Sequence, residues 1–192
     1  MPDLADLAPV PVISYYMLKF TFHGTGTSNS RVHLAYITSF IRILDKAICE
    51  YHQSRKQLQA YIESANKTIL IMKAVSHLET CVHSLRRCLH LFERIKQLCI
   101  GDSGKQRLLR RVIQSKLRSV RDVRDAIEHM DELIAKNEVA AGQPIALMIS
   151  EVGDRASIAG REILFSDLVS IIRKFHAFAV QLCDYAEPVV NP

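Results

Sequence analysis

Apolar residues recur at helical spacing through most of the first two thirds of the chain. Val32, Ile37, Phe40, Ile41, Leu44, Ile48 and Tyr51 follow one another along one face, which continues through Leu58 and Ile62. The polar run Glu63-Ser64-Ala65-Asn66 is where this first helix should end, since one rod reaching Cys99 would be roughly 100 Å long. Ile71, Val75, Leu78, Val82, Leu85, Leu89 and Phe92 then step by alternating fours and threes, the seam of a bundle helix. A third stripe holds Leu109, Val112, Ile113, Leu117, Val120, Val123, Ile127, Met130 and Ile134. Neither Gly nor Pro occurs between Thr27 and Ile100, so nothing in the backbone chemistry interrupts the first two helices.

The period changes after Gly142 and Pro144. Ile145 to Ile149, a turn at Glu151 to Asp154, and Ala156 to Ile158 predict a β-hairpin, with Arg161 to Leu164 as a third short strand. A last helix should start near Ser166, a good N-cap with Asp167 beside it, and bury Leu168, Ile171, Ile172, Phe175, Phe178, Ala179 and Leu182. The first thirty residues read as an N-terminal segment, loop or short helix, with a helix around Val12 to Phe20 and a loop over Gly24 to Ser30. The predicted fold is mainly α: an up-down bundle of about four long helices, with a small β-hairpin inserted before the last. Residues 31–141 form a three-helix core, and 142–192 add the hairpin and final helix to the same domain.

Composition narrows the class. The 192 residues are 48% hydrophobic and 23% charged, enough apolar material for a core and too much for a disordered chain. Seven Gly, six Pro and no Trp argue against a turn-rich sandwich or propeller. Met1 to Val12 contains Asp3 and Asp6 and no Lys or Arg, so a secretory leader is not expected, and uncharged runs such as Val139 to Ser150 are too short to span a bilayer. Cys49, Cys81, Cys88, Cys99 and Cys183 lack metal or redox spacing and read as buried free thiols. These features together point to a cytoplasmic protein without membrane attachment.

The net charge of +5 is small, but it is not evenly spread. Lys105, Arg107, Arg110, Arg111, Lys116, Arg118, Arg121 and Arg124 meet a single acid, Asp122, giving +7 on twenty residues against −2 on the rest. The same helix then turns acidic with Asp125, Glu128, Asp131 and Glu132, an order opposed to the helix macrodipole. Local helix stability would not select that order, which points to tertiary contacts or a ligand. On a helical wheel Arg107, Arg111, Arg118, Arg121, Asp125 and His129 fall within about 80° of one another. Such a track can follow a phosphate backbone. It can equally be a solvated face paired in cis through Arg121–Asp125 and Arg124–Glu128.

Arg124-Asp125-Ala126-Ile127-Glu128-His129 is an Arg, four residues and a His, with a polar residue directly after the Arg. This resembles the signature of the HEPN superfamily, helical bundles that are often metal-independent ribonucleases. The resemblance covers about a dozen residues in motif and the bundle in general character; here 63 residues follow His129, whereas in many members the motif lies near the domain's end. It implies Arg124 and His129 as a catalytic pair, with Asp125 or Glu128 orienting them at the cleft of a homodimer. The chemistry is coherent: RNA hydrolysis without a metal needs proton transfer, which His supplies near neutral pH, and a fixed cation on the phosphate, which Arg supplies. On one straight helix the two residues lie about 140° and 7.5 Å apart, so a cleft shared between two helices would unite them more readily. Exposed pairing of His129 with Asp125 or Glu132 is the alternative.

Lys116 and Asp131 project toward the apolar stripe and should each meet another helix or an interface, with snorkelling as the commoner explanation for Lys116. His77, Glu79, His83, Arg86, Arg87 and His90 decorate the second helix; Glu79–His83 is one turn apart, but no second Glu-x-x-His completes a metal set. His176 reads as a core-edge histidine. No phosphate-binding GxxxxGK[ST], dinucleotide GxGxxG, HExxH or GxSxG occurs, and Gly101-Asp-Ser-Gly104 reads as an interhelical turn. The expectation is therefore an RNA-binding, HEPN-like protein needing no cofactor or metal, with metal-independent endoribonuclease activity as what the resemblance implies. Arg107, Arg111, Arg118 and Arg121 would carry the nucleic acid. The alternative is a non-enzymatic helical module whose basic helix docks an acidic partner, such as a toxin or a nucleotide-modifying enzyme.

Overall fold

The computed structural model describes residues 1–4, 6–7, 28–64, 67–100 and 102–185, so the helix expected around Val12 to Phe20 lies outside the described residues. Among the described residues, five helices and three strands follow in order: α1 (Ser28–Glu63), α2 (Thr68–Gln97), α3 (Ser103–Glu128), α4 (Met130–Ala135), β1 (Met148–Ile149), β2 (Arg155–Ile158), β3 (Arg161–Leu164) and α5 (Phe165–Tyr185). The mainly helical class with a small antiparallel sheet before the last helix is as the periodicity predicts. Ser28 to Ser30, expected in a loop, lie in α1, and the rest of that expected loop lies outside the described residues.

α1 and α2 form the largest helix–helix interface. Their antiparallel register shows in two polar ties: Ser54 Oγ, fully buried, donates to the Ala74 carbonyl at 2.7 Å, and His77 Nδ1 meets Glu50 Oε2 at 2.7 Å. α5 closes the bundle against α1 and α3. Where α1, α2 and α5 meet, Phe40, Phe92, Phe175 and Phe178 pack with ring centroids 5.2 to 5.9 Å apart, mostly edge to face. All the residues expected to be buried by the last helix are buried. Leu4 from the N-terminal segment is also fully buried, and the Tyr51 hydroxyl donates to the Pro2 carbonyl.

The turn from α2 to α3 has a defined chemistry. Cys99 sits at φ 53°, with its N–H donating to the Lys96 carbonyl and the Ile100 N–H donating to the Ile95 carbonyl. This is a Schellman stop, with buried Ile95 and Ile100 supplying its apolar contact, and it normally favours Gly at the left-handed position. Asp102 then caps α3, its Oδ1 accepting from the N–H groups of Gly104 at 2.8 Å and Lys105 at 3.1 Å. Cys99→Gly should therefore raise stability by about 0.5–1 kcal/mol, relieving a left-handed side chain. Thermal unfolding should shift upward by roughly 1–4 °C. An unchanged or lower midpoint would contradict this account of the turn.

Cys99 is exposed, as is Cys49, so the expectation of buried thiols holds for Cys81, Cys88 and Cys183 alone; none of the five forms a disulfide. Cys99 projects from a turn and Cys49 from the outer face of α1, whereas burial pushes the Cys81 and Cys88 thiols far up in pKa.

The third helix departs from the sequence reading. It breaks at His129, which has φ −115° and ψ 26° and separates α3 from α4. The extra non-helical residue rotates the apolar face by about one position: Leu133 is 9% exposed and Ile134 is 53% exposed, the reverse of the continuous stripe. Asp131, expected to face the core, is exposed for the same reason. Lys116 does find its partner on another helix, donating to Asp167 Oδ1 in the first turn of α5 at 2.6 Å.

The hairpin is a three-stranded meander in the order β1-β2-β3. β1 is shorter than the predicted Ile145 to Ile149, because Ile145 turns to solvent and the Pro144 carbonyl accepts from Ala159 N–H instead of joining the ladder. Ala159 at φ 48° and Gly160 at φ 72° make the two-residue β2–β3 turn that matches strand twist. β3 runs straight into α5, so buried Phe165 is the first helical residue and Ser166 lies within the first turn.

Candidate functional site

The basic half of α3 does not stand alone. α2 and α3 are antiparallel about a short connection, as Glu93–Arg110 at 3.3 Å near the turn and His83–Glu128 at 3.3 Å near the far end show. That register sets Arg86 and His90 of α2 opposite the arginines of α3. Between the two helices lies an open cavity of about 540 Å³, lined by Arg86, His90, Glu93, Arg110, Arg118, Arg121 and Asp122 among others. Beside it, where α1 joins, a second cavity of about 370 Å³ is lined by Ser39, Arg42, Ile43, Arg86, Arg87, His90, Leu91 and Arg124. Arg86 and His90 line both, so the two cavities are neighbours along one groove.

Among the described residues, seven arginines line this groove against two acids. Pairing neutralises part of the first cavity, where Arg110 meets Glu93 and Arg118 meets Asp122 at 3.6 Å. Among the described residues no ion pair or side-chain hydrogen bond reaches Arg42, Arg86, Arg87 or Arg121. Like charges gathered without counter-charges raise the free energy of the empty site and favour an anion there. A concave wall also concentrates the field relative to a flat surface.

The expected site residues divide between the groove and its surroundings. Arg118 and Arg121 line the first cavity; Arg107 and Arg111 line neither and are exposed on α3. Arg124, with its side chain 28% exposed, lines the second cavity and is held by Asp125 Oδ1 at 3.0 Å and by Glu128. Glu128 also receives His83, so one carboxylate links α2 to the Arg124 guanidinium. Of the cis pairs expected, Arg124–Glu128 forms, while Asp125 pairs with Arg124 in place of Arg121. His129, with its side chain 52% exposed at the α3–α4 break, meets Glu132 Oε1 at 3.3 Å and lines neither cavity. In a single chain, therefore, Arg124 and His129 do not share a cavity.

Arg42, Arg86, Arg87 and His90 were not read from the sequence as part of a basic surface. The available signal was the hairpin register: residues equally distant from a short turn face each other, which sets Arg86 and His90 across from Arg110 to Arg121. Glu79 and His83, the pair weighed for metal binding, go separate ways. Burial pushes the Glu79 carboxyl above its ordinary range, with His83 acting in the opposite direction, while His83 points to Glu128. Among the described residues no group of three His, Cys, Asp or Glu side chains is placed to hold a metal ion. Nor, among the described residues, is any helix long and apolar enough to cross a membrane. Comparison with family models, with curated proteins and with solved structures gives no match.

Proposed function

We propose that this protein binds single-stranded RNA, laying the phosphate backbone along the α2–α3 groove against Arg86, Arg110, Arg118 and Arg121. The observation that carries this reading is the arginine surplus in a concave groove between two helices, with Arg86 and Arg121 lacking any acidic partner among the described residues. An extended polyanion fills such a groove along its length. An acidic protein surface, flat or convex, would leave cavities of this size unfilled, so nucleic acid is preferred over an acidic partner. The resemblance of Arg124 to His129 to the HEPN motif supports RNA as the polyanion.

Among the described residues no Phe, Tyr or Trp lines either cavity, and His90 is the one aromatic ring there, so recognition rests mainly on phosphate. Binding should be sequence-tolerant and strongly salt-dependent. For about four neutralised phosphates, the plot of log affinity against log salt should have a slope near −3. Fluorescence anisotropy of a labelled single strand titrated at several salt concentrations measures it. A slope near zero, or no binding at low salt, would remove the reading. Cleavage through Arg124 and His129 would require a second chain to complete the pair, and the binding proposal does not depend on it.

A further inference from the structure

The second cavity differs from the first in kind. Among the described residues its charged lining is Arg42, Arg86, Arg87 and Arg124, with no acidic residue among its walls. In the first cavity, two of four arginines are offset by lining acids. α1 contributes only to the second, bringing Arg42 and the Ser39 hydroxyl, so a strand following the α2–α3 groove meets a third helix there. Arg124 is oriented by Asp125 and Glu128 behind it, whereas Arg42 and Arg87 are exposed and carry no ion pair among the described residues.

An internal phosphodiester carries one negative charge and offers two free oxygens. A terminal phosphomonoester carries between one and two charges at neutral pH and offers three oxygens. Several guanidinium groups converging on one cavity match the second chemistry better, because each can donate a pair of charge-assisted hydrogen bonds to phosphate oxygens. The volume of about 370 Å³ accommodates such a group with its terminal nucleotide, within the usual range for small-ligand sites. Resting on the RNA-binding reading, we infer that the cavity between α1, α2 and α3 holds the terminal phosphate of the bound strand, with Arg42 and Arg87 as the residues that distinguish a phosphorylated end from a hydroxyl end.

The test uses one oligoribonucleotide sequence made with hydroxyls at both ends, with a 5′-monophosphate, or with a 3′-monophosphate. One phosphorylated form should bind about tenfold more tightly than the hydroxyl form, and which one it is fixes strand polarity. Arg42→Ala and Arg87→Ala, both at exposed positions and checked for folding by circular dichroism, should each shrink that preference. Both should lower affinity for the phosphorylated strand by a clearly larger factor than affinity for the hydroxyl-ended strand. Inorganic pyrophosphate should erase the preference without displacing the hydroxyl-ended strand. Equal affinity for all three ends, or a preference that survives both substitutions, overturns end recognition while RNA binding stands. Pyrophosphate binding as tightly as the phosphorylated strand would make the cavity a free-polyphosphate site and also overturn it. Failure of the hydroxyl-ended strand to bind at all would overturn the RNA reading beneath it.

Discussion

Phe175→Ala is expected to cost about 3–5 kcal/mol, the range for emptying a buried aromatic site. The ring is fully buried at the junction of α1, α2 and α5, edge-on to Phe40 at 5.6 Å and tilted against Phe92 at 5.9 Å. Both neighbours also pack against Phe178, so collapse into the void would disturb the three remaining rings together. Aromatic pairing adds about 0.5–1.5 kcal/mol per pair to the transfer and cavity costs. Domains hold only about 5–15 kcal/mol of stability, so the variant should sit near the edge of unfolding. Its melting point should fall by roughly 6–20 °C. Phe175→Leu, which keeps most of the volume, should cost substantially less. Urea unfolding of both variants measures this, and a loss under 1 kcal/mol for the alanine variant would show that the cluster is not the keystone of the bundle.

Arg86→Glu should produce the largest loss of RNA affinity of any single substitution. Arg86 lines both cavities and carries no acidic partner among the described residues. On the proposed reading, reversal would remove a phosphate contact and add a repelling charge where Arg118 and Arg121 would draw the backbone in. We expect affinity to drop by about 10–100-fold near 0.1 M salt, and the salt slope to become shallower by about 1. His129→Ala should leave binding within about threefold, because His129 lines neither cavity.

The helices were legible in the sequence because each buries a stripe that local periodicity records, as Leu78, Val82, Leu85, Leu89 and Phe92 show. The break at His129 was not legible. No Gly or Pro marks it, and Met130 and Ile134 continue the stripe in sequence while the structure buries Leu133 in place of Ile134. Such a break is settled by tertiary packing, which a wheel drawn on one helix does not contain. The candidate site shows the same division. The +7 stretch on α3 was plain, but a single helix could only sort its arginines by angle, and that angle favoured Arg107 and Arg111 along with Arg118 and Arg121. Which of them face a neighbour depends on the α2–α3 register, and the register brings Arg110 into the groove and leaves Arg107 and Arg111 outside it. Arg42 and Arg87 enter only once three helices are assembled.

A charge-matched pair of double variants tests the central claim most directly. Arg86→Glu with Arg121→Glu changes the net charge by the same amount as Arg107→Glu with Arg111→Glu, so general electrostatic attraction is weakened equally. If the groove binds RNA, the first pair should lose about 100-fold or more in affinity and the second less than about fivefold, measured on the same strand at the same salt. Equal losses in the two would mean that RNA senses the overall charge of α3 and not the groove, and would contradict the account.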